Sequence, residues 1–359
     1  MYQPVRTHKG GHLPEGFDAS HDLCFVLHDL MAQLIKEGEE VGIFTTRFTV
    51  DEDERSALEQ SSNVLDWLEQ TNRTDDRANV LVGTVFPAVL SDMLHCIYEA
   101  LETSRKGKLN VSYMLVRKPL QESLYLLESI VIDRSGFAEK LAEDPLKLRP
   151  KNAGGVVGHT KRIQAALDAL DDGHRFDAEY LARLRYDKTD VDSFDGICNQ
   201  AMHLFTEHAA IKTERLNVNF VFSGFDAKVS QWAFLYSRLS YVLLYSFSLV
   251  ERIATLFVSY PPGYSEDISR RVIALLLLSW ASTDTRYRSA PIERYVRDAS
   301  DWLRVHCSAN GFAEPEASML ERMAKTGAFP GESDAGYRAR EASYEAVAAE
   351  NKENPWSRI

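Results

Sequence analysis

Cysteine is scarce. The 359-residue chain has four, Cys24, Cys96, Cys198 and Cys307, widely separated and without a CxxC pair, which excludes a disulfide scaffold and the close ligand spacings of structural zinc. Such thiols read as free, mostly buried side chains in a reducing compartment. Positive charge is in deficit: 41 Lys+Arg against 53 Asp+Glu leave a net charge of −12, which disfavours whole-surface binding to DNA, RNA or anionic lipid and leaves only a local basic patch. Two uncharged segments invite a membrane reading, residues 239–250 and 272–283, but each has 12 residues where a span needs about 18, so both are expected to be buried core helices. Residues 1–12 carry basic side chains without an apolar stretch or a small-residue cleavage site, and no export signal is expected. The expectation is a cytoplasmic chain with no membrane contact.

Catalytic and cofactor signatures are missing as well. No G-x-S-x-G elbow, dinucleotide G-x-G-x-x-G, Cys/His cluster or D-x-D-x-D-G calcium loop occurs, and neither a metal nor a cofactor is expected.

What the sequence has is helical periodicity. Apolar residues recur at three- and four-residue spacing and sustained alternation is rare, which predicts an all-α multi-helix bundle with little or no sheet. Helices are expected at residues 18–37, closed by Gly38, then at 52–69, 75–104, 109–133, 160–170, 178–185 and 194–208. Further ones are expected at 266–284, 292–307, 314–325 and 337–349. Residues 41–50 are β-prone and read as extended or strand, and Gly83 and Pro87 are expected to kink the 75–104 helix. The tract 228–260 is apolar nearly all round, with Trp232, Tyr236, Leu239, Leu243 and Tyr245 around its middle, and reads as the enclosed central helix. Two prolines and three glycines in residues 144–158 suggest a boundary between an N-terminal helical part, 1–144, and a C-terminal bundle, 145–330, packed as one unit. A peripheral helix and tail, 331–359, complete the chain.

Three polar constellations carry candidate chemistry. Lys118, Glu122, Ser129 and Asp133 share one face of an ideal helix beside Arg117, an arrangement suited to orienting a phosphate or an amide. His203 and Glu207, four apart on the expected 194–208 helix, have the spacing of a general base and its orienting carboxylate, with Arg215 as a phosphate partner and His208 on the apolar side. The run from His203 to His208 misses both zinc-peptidase patterns. A basic, acid-free stretch, Lys147, Arg149, Lys151, His159, Lys161 and Arg162, runs through Gly154, Gly155 and Gly158 into a helix start, where backbone amides favour an anion or nucleic-acid phosphate. Arg105, Lys106 and Lys108 would extend it if folding brought them close. It does not match the P-loop pattern.

Residues 117–128, Arg-Lys-Pro-Leu-Gln-Glu-Ser-Leu-Tyr-Leu-Leu-Glu, with Phe137-Ala138-Glu139-Lys140 following, resemble a helix pattern of bacterial helical proteins near the HEPN and abortive-infection groups, over about a quarter of the chain. The resemblance implies a helical bundle, frequent dimerisation and, in active branches, a metal-independent ribonuclease of defence systems whose Arg is followed by four to six residues and a His. Here only Arg6 and His12 have about that spacing, in a Gly-containing segment not expected to be helical, and Arg304 and His306 are too close.

Two functions follow as expectations. The first is a non-enzymatic interaction protein, related to bacterial defence or stress, that associates with itself, a partner protein or a nucleic acid through the basic stretch. The second is a ribonuclease or other phosphodiesterase using His203, Glu207, Arg117, Glu122 and Arg215. A small-molecule sensor with a ligand pocket at Trp232, Tyr236 and Tyr245 is a third possibility for any helical bundle.

Overall fold

The computed structural model describes residues 12–353, and every regular element among them is helical, as the apolar periodicity requires. Helix α1 (Asp18–Val41) runs past Gly38 and closes at Gly42, whose φ of 70° is the left-handed conformation glycine adopts without strain. Gly38 lies inside the helix, where the absent side chain makes room for Phe44, whose ring would sit 2.7 Å from a Cβ. Of residues 41–50, expected to be extended or strand, Val41 ends α1, 42–44 turn, and 45–50 belong to no sheet among the described residues. Phe44 packs instead beside Phe86 and Phe257, and Phe48 stacks on Trp67 at 5.6 Å.

The single helix expected over 52–69 is divided into α2 (Glu52–Gln60) and α3 (Val64–Gln70), since Asn63 caps the second by accepting the Asp66 amide at 2.9 Å. Helix α4 (Thr74–Arg105) continues through both Gly83 and Pro87. Gly83 lets the Phe44 carbonyl approach, its oxygen lying 2.6 Å from where a Cβ would stand.

The expected 109–133 helix is three pieces: α5 (Leu109–Lys118), a π turn over Pro119–Ser123, and α6 (Leu124–Ile132). Then come α7 (Arg134–Glu143), α8 (Gly155–Leu167), α9 (Ala178–Tyr186) and α10 (Phe194–Met202). The central α11 (Phe225–Ala254) is followed by α12 (Tyr264–Ser282), α13 (Ala290–Ala309), α14 (Ala317–Thr326) and α15 (Asp334–Glu353).

Helix α1 packs on α4, α11 and α12, α5 lies against α4 and α10, and α8 rests on α9 and α6. One buried apolar cluster extends from Leu23 to Phe329, so position 144 does not divide two cores. Among the described residues two helices, α4 and α11, are long and apolar enough to cross a membrane by length and composition. In α11, 78% of the most apolar window is buried against the rest of the protein, so its apolarity is consumed by neighbours, whereas the figure for α4 is 44%.

Candidate functional site

The π turn decides where the first constellation goes. Pro119 has no amide to donate, and the Leu124 amide reaches back five residues to the Pro119 carbonyl, so one extra residue enters the turn. The face drawn for an ideal helix is thereby dismantled. Lys118 pairs with Asp92 at 2.7 Å, Ser129 is buried beside Arg162, and Asp133 caps α7 by accepting the Gly136 amide at 2.9 Å. Glu122 and Arg117 alone of that group stay together, on the wall of a cleft of about 360 Å³.

The opposite wall comes from the basic stretch. Lys151, Gly155, Val156 and His159 line the same cleft, joined by Gln121, Tyr186 and Asp195. Helix α8 starts at Gly155, five residues before the expected start at Thr160, because Gly154 and Gly155 adopt φ of 90° and 73° and turn the chain straight into the helix. Gly158 serves a close approach, as its missing Cβ would stand 1.6 Å from the Ala153 carbonyl oxygen. Amides at the start of α8 have no acceptor within their own helix, and the helix dipole adds partial positive charge there.

His159 is 4% exposed, lies face to face on Tyr186 with ring centroids 3.5 Å apart, and its Nδ1 has no hydrogen-bond partner. Burial, reinforced by the Arg185 and Arg162 guanidiniums, pushes the imidazole down to about 4, so it is neutral at pH 7. Across the cleft Arg117 Nη2 stands 3.7 Å from Asp195 Oδ1, while Lys188 Nζ is 3.9 Å from Asp195 Oδ2. Asp195 is buried and its Oδ1 accepts no hydrogen bond, so it holds Arg117 by charge at longer range.

A buried ionic cluster lies behind the cleft. Arg185 Nη1 donates to Glu128 Oε1, which also accepts from the Tyr245 hydroxyl at 3.0 Å. Arg162 lies over the Tyr125 ring at 3.8 Å, donates to the Tyr125 carbonyl at 2.7 Å and brings its Nε to 3.6 Å from Glu128 Oε2. The π turn supplies further acceptors, the Leu120 carbonyl taking Arg185 Nε at 2.6 Å and the Gln121 carbonyl taking the Tyr186 hydroxyl at 3.0 Å. Arg185, Glu128 and their tyrosines thus fix the ring on which His159 stacks.

The remaining sequence candidates stand elsewhere. Helix α10 ends at Met202, so His203 and Glu207 share no helical face and both are exposed in the loop 203–224, as are His208 and Arg215. A polar clasp captures the chain there: the Thr206 hydroxyl donates to the Ile211 carbonyl, and Thr213 to Asn219 Oδ1 at 2.8 Å. In the basic stretch, Lys147 pairs with Glu143 at 2.9 Å, Arg162 turns inward, and Arg149 and Lys161 are exposed. Arg105 and Lys106 both pair with Glu102. Arg6 lies outside the described residues. Trp232, Tyr236 and Tyr245 are fully buried and engaged, Trp232 Nε1 on the Ser104 carbonyl, Tyr236 with the Ser104 hydroxyl and Tyr245 on Glu128, which leaves no ligand space among them.

Tyr186, Asp195 and Gln121 escaped the sequence reading because nothing in their spacing links them to Arg117. Glu128 did carry a signal, a lone carboxylate in the apolar run 124–132, which a buried cation must answer. Among the described residues no group of three or more His, Cys, Asp or Glu side chains is placed to hold a metal ion. No protein-family profile, curated protein or solved structure matches the chain.

Proposed function

We propose that the protein is a helical binding protein that captures a phosphate group, at the end of an RNA strand or on a free nucleotide, in the cleft at the start of α8. One observation carries this reading: Arg117, Lys151 and the first amides of α8 converge on a single cleft whose floor is a rigid, neutral His159–Tyr186 stack. A planar guanidinium, an ammonium and helix amides are the usual donors to phosphate oxygens. Neutral His159 leaves the cleft's positive charge to Arg117 and Lys151, set against the carboxylates of Glu122 and Asp195 in the same lining. A cytoplasmic location fits the free thiols Cys24, Cys96, Cys198 and Cys307, three of which are buried.

Calorimetric titration with a 5′-phosphorylated oligoribonucleotide, its 5′-hydroxyl counterpart and a nucleoside monophosphate tests the reading and separates its two sources. Binding is expected to require the phosphate and to weaken about tenfold in Arg117→Ala or Lys151→Ala. Lys147→Glu, at a residue already paired with Glu143, should change little. Equal affinity for the hydroxyl strand would overturn the reading. Chelator-resistant cleavage of the strand, lost in His159→Ala and retained in His203→Ala, would replace binding by the ribonuclease activity that the HEPN resemblance implies.

Self-association is a second reading, supported by the loop 203–224 and its edges. Leu204, Phe205, Phe222 and Phe225 are each 62–70% exposed there, and Leu216 and Phe220 are held at φ of 64° and 62°, conformations rare for such side chains. Sedimentation of wild type against Phe205→Asp/Phe222→Asp is expected to show a dimer reduced to monomer. A monomeric wild type rules this reading out.

A further inference from the structure

A second cavity, about 660 Å³ and partly open, lies between the end of α1, the end of α11 with the loop 255–263, α12 and α15. Its walls are apolar side chains, including Leu30, Leu34, Ile43, Phe247, Leu256 and Phe257. Its charged lining is mostly acidic, Glu37, Glu251, Asp267, Glu341 and Glu345 with Arg271, though Asp267 is answered by Arg270, Arg271 and Arg340, and Glu37 accepts from Gln33. Arg271 is already spent, bonding Asp267 at 2.7 Å and Glu341 at 3.0 Å.

We propose that this cavity binds a lipophilic organic cation whose apolar body fills the space between α1 and α12 and whose charge rests against Glu251. An apolar cavity of this volume suits a small ligand, and its few polar groups set the charge of what enters. Glu251 forms no ion pair or hydrogen bond among the described residues, and Arg271, which lines the same cavity, is bound to Asp267 and Glu341. The titratable groups around it are Asp172 from the segment after α8, Tyr260 before α12, Tyr264 on α12 and Tyr295 on α13; the tyrosines are neutral, and only Asp172 adds a like charge. Burial, with Asp172 adding to it, raises the Glu251 carboxyl to about 8. An arriving cation therefore replaces a proton, and the aromatic rings of Phe247, Phe257 and Tyr264 give its charge further π contact.

Two ions of the same shape and opposite charge, tetraphenylphosphonium and tetraphenylborate, make the test. Calorimetry on the full chain, in two buffers of different ionisation heat, is expected to show saturable binding of the phosphonium only. Roughly one proton should be released at pH 7, and affinity should rise about tenfold per pH unit between pH 6 and 8. Glu251→Gln should abolish the proton release and the pH dependence, while Glu251→Asp keeps the preference for the cation. Equal binding of the borate, pH-independent affinity or the absence of saturable binding by wild type would each overturn the proposal. The comparison of the two ions on wild-type protein does not depend on any variant folding. Failure here leaves the phosphate cleft untouched, since the two cavities share no lining residue.

Discussion

Arg185 on α9 and Glu128 on α6 form an ion pair in which neither side chain has any solvent exposure. Two charges so enclosed must satisfy each other, because water does not reach them and each alone carries a large desolvation cost. Tyr245, Tyr186 and the Leu120 carbonyl of the π turn take up further hydrogen bonds of the pair, while Glu128 Oε2 accepts none and faces Arg162 Nε at 3.6 Å by charge alone.

Removing one partner is expected to be far worse than removing both. Glu128→Ala should lose about 3–5 kcal/mol of stability by leaving Arg185 charged and enclosed. The combination Glu128→Leu, Arg185→Met and Tyr245→Phe should recover most of that loss. Urea unfolding of the two variants makes the comparison, and equal losses would mean that the cluster is not closed to water.

Acid should weaken the fold through His159. The unfolded imidazole takes a proton near pH 6.5, whereas the folded one refuses it until about 4, so stability is full above pH 6.5 and declines as pH falls toward 4. His159→Phe keeps a ring on Tyr186 and removes that titration. Denaturant midpoints at pH 7 and pH 5 should separate less in the variant than in wild type, and identical separations would contradict the burial of this ring.

Gly327 is irreplaceable at the junction of α14 and α15. It has φ of 65°, and a Cβ would lie 2.5 Å from both Asp267 carboxylate oxygens. Asp267 is the hub that joins Arg270 and Arg271 of its own helix to Arg340 of α15. Gly327→Ala is expected to cost on the order of 1–3 kcal/mol. It should also expose α15 to limited proteolysis, with the cut appearing before global unfolding.

Alkali acts on Glu251 with the opposite sign. The unfolded carboxyl loses its proton near 4.5 and the folded one near 8, so this residue's contribution is complete below pH 4.5 and is lost as pH rises through 8. Glu251→Gln should melt higher than wild type at pH 8.5, by about 2 °C or more, and no higher at pH 4. Thermal scans at both values decide it.

Helix content was legible because apolar spacing survives any arrangement of neighbours, and the central α11 and short α9 stand almost where their patterns put them. The misreadings arose where local chemistry overruled periodicity. Paired glycines at 154 and 155 look like a loop but start a helix, and α10 ends at Met202, with the Thr206–Thr213–Asn219 clasp holding the chain beyond it, so the pair that spacing alone suggested is not formed. The cleft was half legible: Arg117, Glu122, Lys151 and His159 were each singled out, but in two separate groups. Only α8 folding back onto α6 and α9 brings residues 34 positions apart, Arg117 and Lys151, to one opening.

The π turn at Pro119–Ser123 makes chain length itself a determinant of the interior. Winding the same five residues as regular α-helix would swing everything after them by about 100° about the helix axis, carrying Glu128 out of line with Arg185. The loop 203–224 has slack to absorb an insertion or deletion, whereas these five residues act as a fixed angular spacer between the wall of the cleft and the charge beneath it.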